Sequence, residues 1–197
     1  MTTTANAIYV IEHLEPKLWE WCEIEYKHIS KIVGKDNLLI TNIKSKEEQE
    51  KLKSYARVKS DGKSIREIKE ISLKNVCILD PEAEKELNPE DAKSFDYFIF
   101  GGILGDFPAR KRTEVELTKF IPKAEKRNIG NGQFPTDNAV YVVKQIASGI
   151  PLSKMKFKDE IEVRINKIES TIFPFRYVLI NNKPLISKEL IAYLKKE

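Results

Sequence analysis

The sequence predicts an α/β fold with a mostly parallel sheet flanked by helices, and three observations carry that prediction. The chain opens as strand, helix, strand: Ala7 to Glu12 is apolar, Lys17 to Val33 repeats apolar residues at helical spacing, and Leu38 to Thr41 is apolar again. A long helix between two strands points to a parallel crossover, because an antiparallel pair needs only a hairpin. In mid-chain the aromatic run Phe95 to Phe100 passes straight into Gly101, Gly102 and Gly105, and later a second glycine-rich loop, Gly130 to Asp137, leads into a helix. The carboxyl edge of an open α/β sheet, where such turns fall, is where ligands bind.

Each element follows from its residues. In the first helix Leu18, Trp21, Cys22, Ile29, Ile32 and Val33 fall mainly on one face, and Gly34 supplies the stop. Residues 44–74 are rich in Lys, interleaved with Glu47, Glu48, Glu50, Glu67 and Glu70, so a charged surface excursion is expected, with helical pieces at 47–55 and 64–70. Val76 to Leu79 is a further strand that ends at Asp80 and Pro81, since proline restricts the residue before it. Residues 81–87 read as a short helix. After the glycine turn a helix is expected from Glu114 to Phe120, broken at Pro122, and then a short strand at 124–128. Thr136 or Asp137 suits the N-cap of a helix running to Ile146 and closed by Gly149. Strands follow at Ile161 to Ile165 and Phe175 to Ile180, Asn181 and Asn182 turn the chain, and Ser187 caps a last helix. One domain over residues 1–197 is expected.

Composition narrows the class. At 197 residues and 41% hydrophobic content the chain can bury a sizeable core. A net charge of +4 is mild and mostly Lys, short of the clustering of a dedicated nucleic-acid binder. Cys22 and Cys77 fall inside a predicted helix and a predicted strand, where small core residues are expected rather than a disulfide or a zinc pair. No signal-type start and no apolar run of membrane-spanning length is present, so a cytoplasmic protein without membrane contact is expected. No metal is called for.

The glycine turn after Phe100 is neither a Walker loop, because Asp106 stands where a lysine is needed, nor a dinucleotide fingerprint, because GGILGD lacks the required spacing. Read together, IYVIEHLE at the start, CILDP at 77–81, FDYFIFGGILGDFPARKRT, the series Gly130, Gln133, Thr136, Asp137, Ala139, and finally NKIES with PFRYVL resemble the SPOUT-class methyltransferases. Within them they resemble the branch whose characterised eukaryotic members methylate an arginine of a small-subunit ribosomal protein. The resemblance runs from about Tyr9 to about Leu194 and is weakest at 44–74. It implies a C-terminal trefoil knot, S-adenosylmethionine as cofactor, a ribosomal protein as substrate, and a homodimer as one arrangement to be expected.

The resemblance also places cofactor binding at Leu79, Asp80 and Pro81, at Gly101, Gly102, Leu104 and Gly105, and at Gly130, Gln133, Thr136 and Asp137. Several have structural alternatives: Asp80 as a strand terminator, Thr136 and Asp137 as helix caps. Methylating an arginine requires a guanidinium to lose a proton as it attacks, and carboxylates orient it and draw off charge. Asp106 is the first candidate, with Glu12 and Glu169 as helpers. Arg112, with Arg110 and Lys111, suits either a carboxylate of the cofactor, an internal ion pair, or the phosphates of RNA, so an RNA base methyltransferase is the competing expectation. A non-catalytic ribosome-assembly module is the third. His13 and His28 have no partner in the sequence that makes a catalytic case, and Arg176 on an apolar strand calls for a carboxylate partner.

Overall fold

The structure, a computed structural model, describes residues 7–59, 61–68, 75–105 and 110–196. Among these, β1 (Ile8–His13), β2 (Leu38–Thr41), β3 (Arg57–Val58), β4 (Val76–Leu79), β5 (Tyr97–Gly102) and β6 (Glu125–Arg127) form one sheet in the order β3-β2-β1-β5-β4-β6. Every neighbouring pair in it is parallel. The helices are α1 (Glu20–Val33), α2 (Lys46–Lys53), α3 (Pro89–Ala92), α4 (Arg112–Glu116), α5 (Thr136–Ala147) and α6 (Lys188–Leu194). Beyond α5 come β7 (Phe157–Lys158), β8 (Ile161–Arg164), β9 (Ser170–Phe173), β10 (Tyr177–Ile180) and β11 (Lys183–Pro184), all paired antiparallel.

Alternation along the strands explains why the sheet is covered on both faces. Tyr9, Ile11, Cys77, Phe98 and Phe100 pack with Tyr26 and Ile29 of α1 and with Val142 and Val143 of α5. The residues between them, Val10, Ile78 and Ile99, pack with Ile65, Ile68, Leu117 and Ile121 on the other side. A third cluster joins β8, β9, β10 and α6 to Ile24 and Trp21 of α1. Both cysteines are free and buried, as core residues should be.

Several local expectations need correction. Residues 81–87 form turns, and the helix comes one step later as α3, where the Asn88 side chain accepts the N–H groups of Glu90 and Asp91 and Pro89 opens the first turn. The helix expected at Glu114 to Phe120 is instead α4 followed by a single 3₁₀ turn, Thr118–Phe120. Pro135, not Thr136 or Asp137, occupies the N-cap of α5. The cap of α6 is as expected: the Ser187 hydroxyl accepts the Glu189 N–H.

The excursion at 44–74 is more than a solvated surface. Gln49, Leu52, Ala56, Ser64, Ile65 and Ile68 are buried, and β3 adds an edge to the sheet; 69–74 lie outside the described residues. What ties it down is Glu12, fully buried at the end of β1. Its carboxylate accepts the Thr41 hydroxyl at 2.5 Å, the Ile65 N–H at 2.9 Å and the Ser64 hydroxyl. Truncating it strands three buried donors at once. Glu12→Ala is therefore expected to lower unfolding free energy by about 3 kcal/mol in urea titrations; a loss below about 1 kcal/mol would mean that water or relaxation replaces these bonds.

Candidate active site

A cavity of about 910 Å³ opens at the carboxyl edge of the sheet. Three loops build it: the one after β4, the glycine turn after β5, and residues 130–137 before α5. The N-terminal half of α1 and the chain around β9 and β10 close the remaining sides. Leu79, Asp80, Pro81, Gly101, Leu104, Gly105, Gly130, Gln133, Thr136 and Asp137 all line it, as does Arg112. Loops distant from one another in the sequence thus share one cavity.

Three predicted residues do not join them. Gly102 points away: a Cβ built there would overlap the Tyr26 hydroxyl and Ile11, so its role is to let β5 pack against α1. Glu12 faces the opposite layer and is consumed by the bonds described above, which removes it as a catalytic helper. Glu169 is exposed in the β8–β9 turn, bonded to Asn166 and away from the cavity. Asp106 lies outside the described residues.

Ion pairs hold the loops in place. Glu15, just past β1, accepts the Leu104 N–H at 3.0 Å and Arg112 Nη1 at 2.8 Å, while Arg112 Nε reaches Glu116 at 2.7 Å. Lys111 pairs with Glu82 at 2.5 Å, linking the turn after β5 to the loop after β4. Gly105 permits a close approach at the cavity, since a Cβ there would stand 2.8 Å from the Phe175 ring and 3.1 Å from Gln133 Nε2. Asp80 keeps its structural role as well, its carboxylate accepting the Glu82 N–H at 3.0 Å. Arg176 finds its expected carboxylate in Asp159 and stacks near Phe134 and Phe157. His13 bonds Tyr26 and does not line the cavity.

The sequence reading missed Glu25. It lies on the apolar face of α1, three residues after Cys22 and four before Ile29, is 8% exposed, and forms part of the cavity wall. A carboxylate on an apolar stripe was the available signal. Beside it is Asp137, whose oxygens are taken by His28 Nδ1 at 2.6 Å and by the backbone and side-chain amides of Asn138 at 2.7 and 2.9 Å. His28 is thus part of the site's support. Burial raises the Glu25 pKa well above the ordinary carboxylate range, the neighbouring Asp137 raises it further, and a hydrogen bond from the Thr136 N–H opposes them. Burial, then Asp137 and Glu25, also push up the Tyr177 phenol. Among the described residues no cluster of ligating side chains could hold a metal.

Set beside known proteins, residues 8–197 match the profile of the family described as protein arginine N-methyltransferase SFM1-like. The chain belongs to that family. Protein arginine N-methyltransferase SFM1 of Saccharomyces cerevisiae is 40% identical over 201 residues, covering 96% of this chain and 94% of the yeast protein. The crystal structure of yeast SFM1 complexed with SAM superposes with a TM-score of 0.87 at 38% identity, covering 96% of this chain and 90% of the other. More distantly, dual-specific Trm10 from Thermococcus kodakaraensis shares the fold, with a TM-score of 0.57 at 19% identity over 75% of this chain and 96% of that one.

For an SFM1-like chain the raised pKa of Glu25 carries a pH signature. Between the ordinary Glu range and its raised pKa, the folded protein holds a proton that the unfolded chain has released, so stability falls as pH rises across that window. Glu25→Gln removes this dependence. The variant should melt about 2–4 °C above the parent at about pH 8, with the gain shrinking towards about pH 4.5. A pH-independent difference in calorimetric Tm would contradict the assignment.

Proposed function

We propose that the cavity binds S-adenosylmethionine and that the chain transfers its methyl group to an arginine of a protein, a small-subunit ribosomal protein in particular. The observation that carries this is the character of the cavity. Its floor is apolar, with Leu79, Phe100, Ile103, Leu104 and Ile129, and glycine backbone is presented at its edges, which suits an adenosine. Its wall holds the carboxylates of Glu25 and Asp137, which suit cations. When bound, the cofactor supplies an electrophilic methyl group on a sulfonium. The residues of the chain then bind, exclude water and orient: Gln133 and the backbone of 130–136 border one side, and the aromatic rim of Trp19, Trp21, Phe175 and Tyr193 borders another.

The basic triplet after the glycine turn fits this reading better than RNA binding. Lys111 is held by Glu82, and Arg112 by Glu15 and Glu116, so both cations already have carboxylate partners. Asp106 is proposed as the group that orients the acceptor or takes its proton. The same reading takes the chain as a single cytoplasmic domain with the loops around the cavity interlocked in a trefoil knot.

Calorimetry with S-adenosylmethionine and S-adenosylhomocysteine, with no metal added, tests the cofactor assignment; absence of binding at millimolar cofactor would end it. Labelled cofactor incubated with separate protein and RNA fractions of ribosomes tests the substrate. Label should enter protein, with a shallow dependence on salt, whereas RNA methylation with a steep log-log salt slope would transfer the assignment to RNA. Asp106→Asn should keep cofactor affinity within a few fold and lower turnover about a hundredfold. Equal losses in both would place Asp106 against the cofactor instead.

A further inference from the structure

We propose that Trp19, at the rim of the cavity, helps to select the protein substrate: its ring receives a cationic side chain that flanks the arginine to be methylated, in the place that Lys17 holds in this structure. This rests on reading the cavity as the site of methyl transfer to a protein arginine. The chain has two tryptophans and both line the cavity, yet they are used differently. Trp21 is packed, with the Phe173 ring 5.7 Å and the Tyr193 ring 6.3 Å from its own. Trp19 is 40% exposed and meets no other aromatic ring among the described residues. It occupies the N-cap of α1, where a short polar side chain would accept a backbone N–H, and it makes no such bond. A ring that neither caps its helix nor fills the core leaves the fold no account of why tryptophan stands there. What lies over it is a cation, Lys17 Nζ at 3.8 Å from the ring centroid.

The backbone that carries the ring is set before any ligand arrives. Glu48 of α2 accepts the Leu18 N–H at 2.9 Å, the Trp19 N–H donates to the Lys17 carbonyl at 3.0 Å, and the Trp19 carbonyl accepts the Glu23 N–H at 3.0 Å. Little ordering is then needed when a ligand meets the ring. The cation now over it is weakly held. Lys17 is exposed and forms no ion pair among the described residues, so it is free to leave for solvent. An exposed ammonium over a ring gains little, because water competes for it. A lysine or arginine of a substrate whose target arginine is already in the cavity is delivered to the same ring at high effective concentration and displaces Lys17. A guanidinium does so best, since its plane is less strongly hydrated and stacks on the indole.

Peptides of glycine and alanine with one central arginine, and with a single lysine moved through the four positions on each side of it, test this in methyl transfer from tritiated S-adenosylmethionine. At one or more positions the lysine should raise kcat/KM about three- to tenfold over the lysine-free peptide, acting through KM, and acetylating that lysine should remove the gain. The ratio of the two peptides should fall to about one in Trp19→Leu, stay partly raised in Trp19→Phe, and grow about two- to threefold in Lys17→Met, where the internal competitor is gone. Binding is read without turnover in Trp21→Phe saturated with S-adenosylhomocysteine, where Trp19 is the one remaining tryptophan: its emission should change with the lysine peptide and not with the acetylated one. A lysine advantage that survives intact in Trp19→Leu, or no advantage at any position, would overturn the proposal and leave the methyltransferase reading standing. Equal losses in Trp19→Leu of S-adenosylhomocysteine affinity and of kcat/KM for the lysine-free peptide would overturn it by placing the ring against the cofactor. No label in the peptides and none in ribosomal protein, with the parent chain, would overturn the reading of the cavity and this proposal with it.

Discussion

Parallel pairing obliges β1, β4, β5 and β6 to end on the same edge of the sheet, and the cavity exists because of that obligation. With β5 between β1 and β4, the loops that leave β4 and β5 emerge side by side, and Glu15 beyond β1 is within reach of the turn beyond β5. One carboxylate then fixes the Leu104 backbone and the Arg112 guanidinium together. A turn containing three glycines loses much backbone entropy when it is ordered, and Glu15 supplies a local anchor against that cost. The position of the turn after β5 follows from the sheet first and from this anchor second.

Two buried glutamates show how a fold separates support from chemistry. Glu12 and Glu25 are both acids within apolar segments and both are buried. Glu12 meets two hydroxyls and a backbone N–H, which satisfy its oxygens. Glu25 meets one N–H and a second carboxylate, so its neighbours oppose the charge. A satisfied buried acid stabilises the fold and has nothing left to offer a ligand. An unsatisfied one in a cavity wall costs stability until a cation arrives, and natural proteins retain such costs mainly where function needs them.

Much of this was legible in the sequence, for reasons particular to the residues. Strands β1, β2, β4 and β5 are apolar runs buried on both faces, the pattern a parallel sheet demands, and the two glycine-rich loops announce themselves by composition. Strands β3, β7 and β11 are two residues long and carry no period to read. The placement of α3 hung on the Asn88–Pro89 cap signal, which Pro81 and the charged stretch behind it obscured. Gly102 and Gly101 look alike in sequence, yet strand alternation turns one towards Tyr26 and leaves the other at the cavity. Glu12 was misjudged because its donors at Ser64 and Ile65 are 52 and 53 residues away, in the segment least readable as structure. Glu25 was passed over because helical periodicity weighs apolar positions and treats an acid among them as an interruption.

Charge at the cavity is better understood from pairing than from composition. A net charge of +4 and a basic triplet after the glycine turn suggest an affinity for anions. Yet Lys111 and Arg112 hold carboxylates from two other segments, and an ion pair that must be broken before phosphate can bind offsets most of the gain from binding it. On the opposite wall the carboxylates of Glu25 and Asp137 are buried together, which is the reverse of what a polyanion needs. The internal ion pairs of Lys111 and Arg112 therefore act as struts that tie the loop together, and they leave these two cations less available to an anion than the composition suggests.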